Sequence, residues 1–319
     1  MPGDPGAEVP RPGTRNGMEE QAMSGADGGV VVTGVTGGLG GRVARRLAER
    51  GVRQRLVVRD PGRAPELAGA EVVTGSYDDT EGLRRAFEGA GALFMVSASE
   101  DPDRRTLHAN VVDAAVAAGV ERIVYTSFFG AGPECTFTFG RDHWHAEEHI
   151  KGSGLRHTFL RDNLYIDFLP LLAGPDGVIR GPAGDGRVAA VTRDDIADVA
   201  VAVLLDDSGR HDGRTYDMTG PEALSLEEVA EELSRVAGRT ITYQRETLEE
   251  AYASRASYGA PDWEVAGWVT TYVAIANGDL ERVSDDVATL SGHPPTSLAE
   301  FLRDNPDSYQ RLAAAGPGG

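Results

Sequence analysis

Only one of the 319 residues is cysteine, Cys135, and only one is lysine, Lys151. A single thiol excludes an internal disulfide framework and suits a reducing cytosol. Cys135 lies in GPECTF, outside any periodic pattern, and reads as an inert thiol. No apolar run approaches the roughly 18 residues that a membrane span requires, and the N-terminus lacks the basic-then-apolar layout of a signal peptide. A cytoplasmic protein with no membrane partner is the expectation. Basic residues are outnumbered 31 to 50, which leaves a net charge of −19 with no basic block to offset it. That balance argues against a nucleic-acid partner, since backbone binding depends on cations that neutralise phosphates.

What the chain does contain is an alternation of short apolar runs with helical patterns. VVVT (30–33), RLVVR (55–59), AEVVTG (70–75), ALFMVS (92–97), RIVYTS (122–127) and RHTFLR (156–161) read as buried strands. The segment 103–118 places Leu107, Val111, Val112, Ala115 and Val116 on one helical face, and Gly119 stops it. Strand, helix and strand in regular order imply right-handed crossovers and a doubly wound parallel α/β sheet. Residues 1–28 are rich in Pro and Gly, polar and aperiodic, and are expected to be a disordered tail.

Later in the chain the pattern loosens. TYDMTG (215–220) reads as a further strand. Ser225 with Glu228, Thr247 with Glu250 and Ser297 with Glu300 have capping-box spacing at three helix starts. The aromatic stretch 251–273 reads as a helical core.

The first strand runs directly into TGVTGGLGG. Gly34, Gly37 and Gly40 stand at a strand-to-helix junction, spaced as Gly-x-x-Gly-x-x-Gly. Gly34 permits a tight turn, Gly37 lets the backbone approach a diphosphate, and Gly40 lets the helix lie close on the sheet. The free amides of the following helix, predicted over 39–50, then face the phosphates. Thr36, Gly38 and Leu39 complete this loop. Arg59 follows Gly40 by 19 residues, at the end of the second strand. A carboxylate there would hold the ribose of NAD, whereas an arginine suits the 2′-phosphate of NADP. NADPH is therefore the expected cofactor, with Arg63 assisting. Asp60 reverses the choice toward NADH if the strand ends one residue later.

With VVRDPGRA, FMVSASE, HANVVDAAVAAGVERIVYTS, HWHAEEHIKGSGLRHTFLRDNLY, VTRDDIADVAVAVL, TYDMTGPEALSLEEVA and SGHPPTSLAEFL, this loop gives the chain a family resemblance. It resembles the NmrA-like, atypical short-chain dehydrogenase/reductases, nearest the triphenylmethane reductase and type 2 NAD(P)H:quinone oxidoreductase branch. The matching pieces run in family order from about residue 29 to 303.

The resemblance implies a Rossmann domain over 29–165. It also implies a smaller C-terminal α/β substrate lobe over 166–319, with segments that return to the sheet. By motif position, Val96, Ser97, Ala98 and Thr126 would line the nicotinamide side, with Leu160 and Asn163 beneath the cofactor. Ser76 departs from the family's acidic residue after the third strand, where Tyr77 would stack on the adenine instead.

The same resemblance bears on DHWHAEEHI (142–150), in which His145, Glu148 and His149 have the spacing of an inverted zinc-peptidase motif. A zinc peptidase needs a third ligand and another fold, so the spacing reads as coincidence and no metal is expected. In this helix, reductases of the superfamily carry Tyr-x-x-x-Lys. Here Phe139 takes the tyrosine slot and His143 the lysine slot, and Glu147 stands four residues before Lys151. That relay is absent.

The implied function is an NADPH-dependent oxidoreductase that passes hydride to a flat, electrophilic small molecule such as a quinone or aromatic ketone. His143 is the expected proton donor, and Ser127 and Tyr165 are expected to bond a substrate oxygen. The alternative is a non-catalytic NADP(H)-sensing binding protein. A homodimer is compatible with the sequence.

Overall fold

The structure, a computed structural model, describes residues 29–313, so the tail expected over 1–28 lies outside the described residues. The N-terminal half alternates β1 (Val30–Val32), α1 (Gly38–Glu49), β2 (Gln54–Val58), β3 (Ala70–Thr74), α2 (Thr80–Phe87), β4 (Ala92–Met95), α3 (Arg104–Ala117), β5 (Arg122–Phe128), α4 (Thr138–Ser153) and β6 (Arg156–Asp162). The second half adds β7 (Val178–Gly181), β8 (Arg187–Val188), α5 (Arg193–Leu205), β9 (Arg214–Met218), β10 (Leu224–Ser225), α6 (Leu226–Ala237), β11 (Thr242–Arg245), α7 (Leu248–Arg255), α8 (Asp262–Ala276), α9 (Asp286–Ser291), α10 (Leu298–Asp304) and α11 (Gln310–Ala313).

Seven strands form one parallel sheet in the order β3-β2-β1-β4-β5-β6-β9. The order reverses between β1 and β4, where a doubly wound sheet opens its ligand crevice. Helices cover both faces, which is why β1 and β4 are apolar throughout and why β5, which also carries Arg122, Thr126 and Ser127, is wholly buried. On one face, Leu39, Val43 and Leu47 of α1 meet Ile196, Ala200 and Val203 of α5 above Val32, Phe94 and Leu160. On the other, Leu83 and Phe87 of α2, Val111 and Ala115 of α3 and Ile150 of α4 enclose Val31, Leu93 and Tyr125.

Beyond β6 the chain alternates between two bodies. α5 and β9 belong to the sheet and its cover, whereas β7 pairs with β11 and β8 with β10 beside a second core. That core gathers Ile179, Val229, Leu233, Ile275 and Leu302. All three expected capping boxes are present, at the starts of α6, α7 and α10.

Three expectations need correction. AEVVTG forms β3, but as the edge strand of the sheet its residues are half-buried or exposed, not buried. In α3 the buried face carries Arg104 and His108 beside Val111, Val112 and Ala115, while Leu107 turns to the crevice and Val116 faces solvent. The helix is held between α2 and α4, and polar groups behind the crevice need partners there. The stretch 251–273 is not an aromatic core. Tyr252 and Tyr258 are exposed, and the buried apolar side chains are Ala251, Val265 and Val269.

Candidate active site

The crevice at the β1/β4 reversal is a cleft of about 420 Å³. Its walls come from the glycine loop, the end of β2, the turn after β3 and the loop after β4. Gly34 has φ +64°, and a Cβ there would stand 2.9 Å from the Val96 side chain. A Cβ on Gly40 would stand 2.5 Å from the carbonyl oxygens of Thr33 and Gly34, a distance real structures do not tolerate. Gly37 precedes α1 as its N-cap, no side chain caps this helix, and no acidic residue stands in its first turn. An uncapped helix start in a glycine cradle fits a diphosphate. The same comparison shows that Gly41, absent from the expected set, is also tight, at 2.8 Å from the Val35 carbonyl.

Arg59 lines the cleft just after β2 ends at Val58. Asp60 is committed elsewhere, for its Oδ1 accepts the Gly62 amide at 3.0 Å and caps the turn at Pro61–Arg63. The strand does not extend to Asp60, so the residue on the cleft wall is a cation. Asp78 also lines this end, its carboxyl held below the usual range by a hydrogen bond with Ser76 and more weakly by Arg59.

Tyr77 is half-buried on the same wall. Its hydroxyl donates to the Val96 carbonyl at 2.6 Å and lies 2.7 Å from Thr33 Oγ1, so it anchors the loop beneath the cleft.

Residues 96–98 are pinned one by one. The Val96 amide donates to Thr33 Oγ1 at 3.0 Å and the Ser97 amide to Thr126 Oγ1 at 3.0 Å. The Ala98 amide donates to His108 Nε2 at 2.9 Å, and its carbonyl accepts from Arg104 Nε at 2.9 Å. Thr126 is therefore a buried support for the loop, which itself lines the cleft. Leu160 and Asn163 do not reach it. Leu160 lies in the core under α1 and α5, and Asn163 donates to the Leu280 carbonyl at 3.0 Å, bolting β6 to the second body.

The three expected catalytic side chains are all turned inward. His143 is only 6% exposed. Arg104 Nη2 donates to its Nε2 at 3.0 Å, and its Nδ1 lies 3.0 Å from the Tyr125 hydroxyl. Because a guanidinium cannot accept, the ring is neutral with its proton on Nδ1. Burial, and then the Arg104 charge, hold it well below the usual imidazole range. Ser127 donates to Glu147 Oε1 at 2.6 Å, and the fully buried Glu147 also takes a two-point contact from Arg161 at 2.8 and 2.6 Å. The Tyr165 hydroxyl donates to Asp162 Oδ2 at 2.9 Å. Asp162 is buried, with its carboxyl pushed up to about 8 by loss of solvent. His143 and Ser127 are thus enclosed where α4 packs on β5 and β6, and the half-buried Tyr165 directs its hydroxyl to Asp162.

Arg104 was missed in the sequence, although its position four residues before His108 on a helix otherwise lined with valine and alanine is a detectable signal. His149 pairs with Asp113 and Glu148 with Lys151, and among the described residues no three His, Cys, Asp or Glu side chains converge as a metal would need. Cys135 lies against Gly140, and burial raises its thiol. No described helix is long and apolar enough to cross a membrane.

A family model described as NAD(P)H-binding matches residues 34–207. Quinone oxidoreductase 2 of Escherichia coli (strain K12) is 34% identical over 281 residues, covering 86% of this chain and 97% of its own. Its solved structure, NADPH-dependent and complexed with NADPH, is similar with a TM-score of 0.78 over 86% of this chain and 99% of that one. NAD(P)H azoreductase of Xenophilus azovorans is 32% identical over 280 residues, 86% of this chain and 96% of its own. The Citrobacter sp. triphenylmethane reductase complexed with NADP(H) is 33% identical, with a TM-score of 0.75 over 86% of this chain and 99% of that one.

Proposed function

Because the chain belongs to the NAD(P)H-binding, NmrA-like reductase family, we propose that it passes hydride to a quinone-type or otherwise flat, electrophilic small molecule. It is an NADPH-dependent reductase, a reading supported by relatives matched over nearly their whole length that are named NADPH-dependent quinone oxidoreductase, NAD(P)H azoreductase and triphenylmethane reductase complexed with NADP(H). The observation that supports the reading is the cation on the wall of a glycine-cradled cleft: Arg59 lines it just past β2, with Asp60 tied into a turn.

When bound, NADPH supplies the hydride, which is the chemistry the protein itself lacks. The chain's own residues bind and orient. Gly34, Thr36, Gly37, Gly38, Leu39 and Gly40 offer main-chain groups to the diphosphate, and Arg59 favours NADPH over NADH. Val96, Ser97 and Ala98 form a wall kept rigid by Thr33, Thr126, His108 and Arg104, so that little reorganisation accompanies the reaction.

No side chain offers a proton in the expected place. Phe139 fills the tyrosine slot and is buried against Gly267, and His143 is held neutral. Acceptors that end as a stabilised anion or a neutral molecule suit such a site better than a ketone, whose alkoxide needs an acid. That argument favours quinones and conjugated dye cations over aromatic ketones. A cytosolic setting belongs to the same proposal, supported by the lone thiol.

The test is oxidation of NADPH, followed by absorbance, with a panel of quinones, triphenylmethane and azo dyes and aromatic ketones. Turnover should be fastest with quinones or dye cations. Tight cofactor binding without consumption across the panel would restore the sensor alternative.

A further inference from the structure

Arg193, the first residue of α5, does not behave like its neighbours. Arg42 and Arg46 on α1 are engaged by Asp194 and Asp198 at 2.7–2.9 Å. The Arg193 guanidinium makes no hydrogen bond to any described residue, and its nearest carboxylate oxygen, on Asp167, is 3.6 Å away. Two aromatic faces hold it instead. Its central carbon lies 4.9 Å from the ring centre of Tyr165 and 4.3 Å from that of Phe168. Aromatic contact of this kind fixes a planar cation while leaving its N–H edges available.

The place where it is held is the start of α1. A Cβ added to Gly38 would meet Arg193 Nη1 at 3.0 Å, Cδ at 3.1 Å and Cζ at 3.2 Å. The missing side chain of Gly38 is thus the space that the guanidinium occupies. Arg193 stands at the positive end of two helices at once, its own and α1, neither of which favours a cation. Its side chain is 18% exposed and Asp167, shared with Arg42, is its only ionic partner among the described residues. A cation with unused donors, beside uncapped helix amides, is the arrangement that an incoming dianion would relieve.

We propose that Arg193 is a cofactor-binding residue that contacts the diphosphate from the side of the Tyr165–Phe168 segment, beside Gly38 of the glycine loop. The proposal rests on the NADPH reading above and extends it to a residue outside the glycine motif. Because the diphosphate is common to NADPH, NADH and ADP-ribose, its effect differs in kind from that of Arg59.

Titration calorimetry with these three ligands tests it. Arg193→Met should weaken all three by a similar factor, roughly ten- to a hundred-fold for one charge-assisted contact. Arg193→Lys should lose less, because it retains the charge without the fork. Should Arg193→Met fail to fold, Phe168→Ala leaves the arginine in place and frees it from an exposed ring. That variant should weaken all three ligands about two- to five-fold. A lowered melting temperature with unchanged affinities would show a structural role only and overturn the proposal, as would a loss confined to NADPH. If the parent protein binds none of the three, the cofactor reading itself fails; if it binds them and the variants match it, only Arg193 is dismissed.

Discussion

Two polar regions lie toward the carboxyl ends of the same strands, and they use the same residue types to opposite ends. Arg59 on the cleft wall and Arg193 beside Gly38 keep donors that no described carboxylate takes within 3.5 Å, and the start of α1 is uncapped. Behind it, between α3, α4, β5 and β6, the donors and acceptors of Arg104, His143, Tyr125, Ser127, Glu147 and Arg161 meet one another. The first region is reachable and incomplete, as a binding site must be. The second is closed, and its task is to hold the wall of the first in position. Chemical type alone does not separate a ligand-binding arginine from a structural one; exposure and the presence of a partner do.

The contrast predicts an ordered set of effects. Glu147→Ala strikes the closed region hardest, because it leaves Arg161 without its carboxylate and Ser127 without an acceptor. Loss of one partner of a buried pair costs about 3–5 kcal/mol, and since Arg161 is partly exposed the lower end is expected. Urea unfolding should show it. A loss under about 1 kcal/mol would mean that the network adds little.

Arg59→Ala strikes the open region. It should weaken NADPH roughly ten- to a hundred-fold, the worth of one charge-assisted bond of about 1.5–3 kcal/mol, and leave NADH and unfolding nearly unchanged. Equal losses for both cofactors would remove Arg59 from the 2′-phosphate.

His108 gives a pH test of the closed region. Burial, then the Arg104 charge, depresses its imidazole to about 3. Below its unfolded value of about 6.5 the unfolded chain takes up a proton that the folded one refuses. Stability is thus fully present above about pH 6.5 and falls toward pH 3, by about 1.4 kcal/mol per pH unit. His108→Asn should remove that one-proton share, about 1.4 kcal/mol per pH unit, from the slope of stability measured by denaturation from pH 6 to 5.

The smallest effect concerns Tyr165→Phe. Its hydroxyl is directed to Asp162, so the change should cost about 0.5–1.5 kcal/mol of stability and leave kcat within about twofold. A large fall in kcat with stability unchanged would return Tyr165 to the reaction.

Much of this was legible along the chain. The strand runs, the glycine spacing and the three capping boxes are local signals, governed by backbone geometry within a few residues, and each reappears in space. The sequence contained no equally local sign of where side chains would point. His143 sits at a position that reads as catalytic, yet α4 turns it toward Arg104, 39 residues away, and Gly38 looks like one more loop glycine until Arg193 arrives from 155 residues further on.

Local conformational preference, acting through Gly34, Gly40 and the alternating apolar runs, was enough to specify a doubly wound sheet with a tight glycine turn at its ligand crevice. Which polar groups remained open to a ligand depended on how α3, α4 and α5 docked. Burial and pairing are properties of residues brought together from distant parts of the chain, and only their packing could assign them.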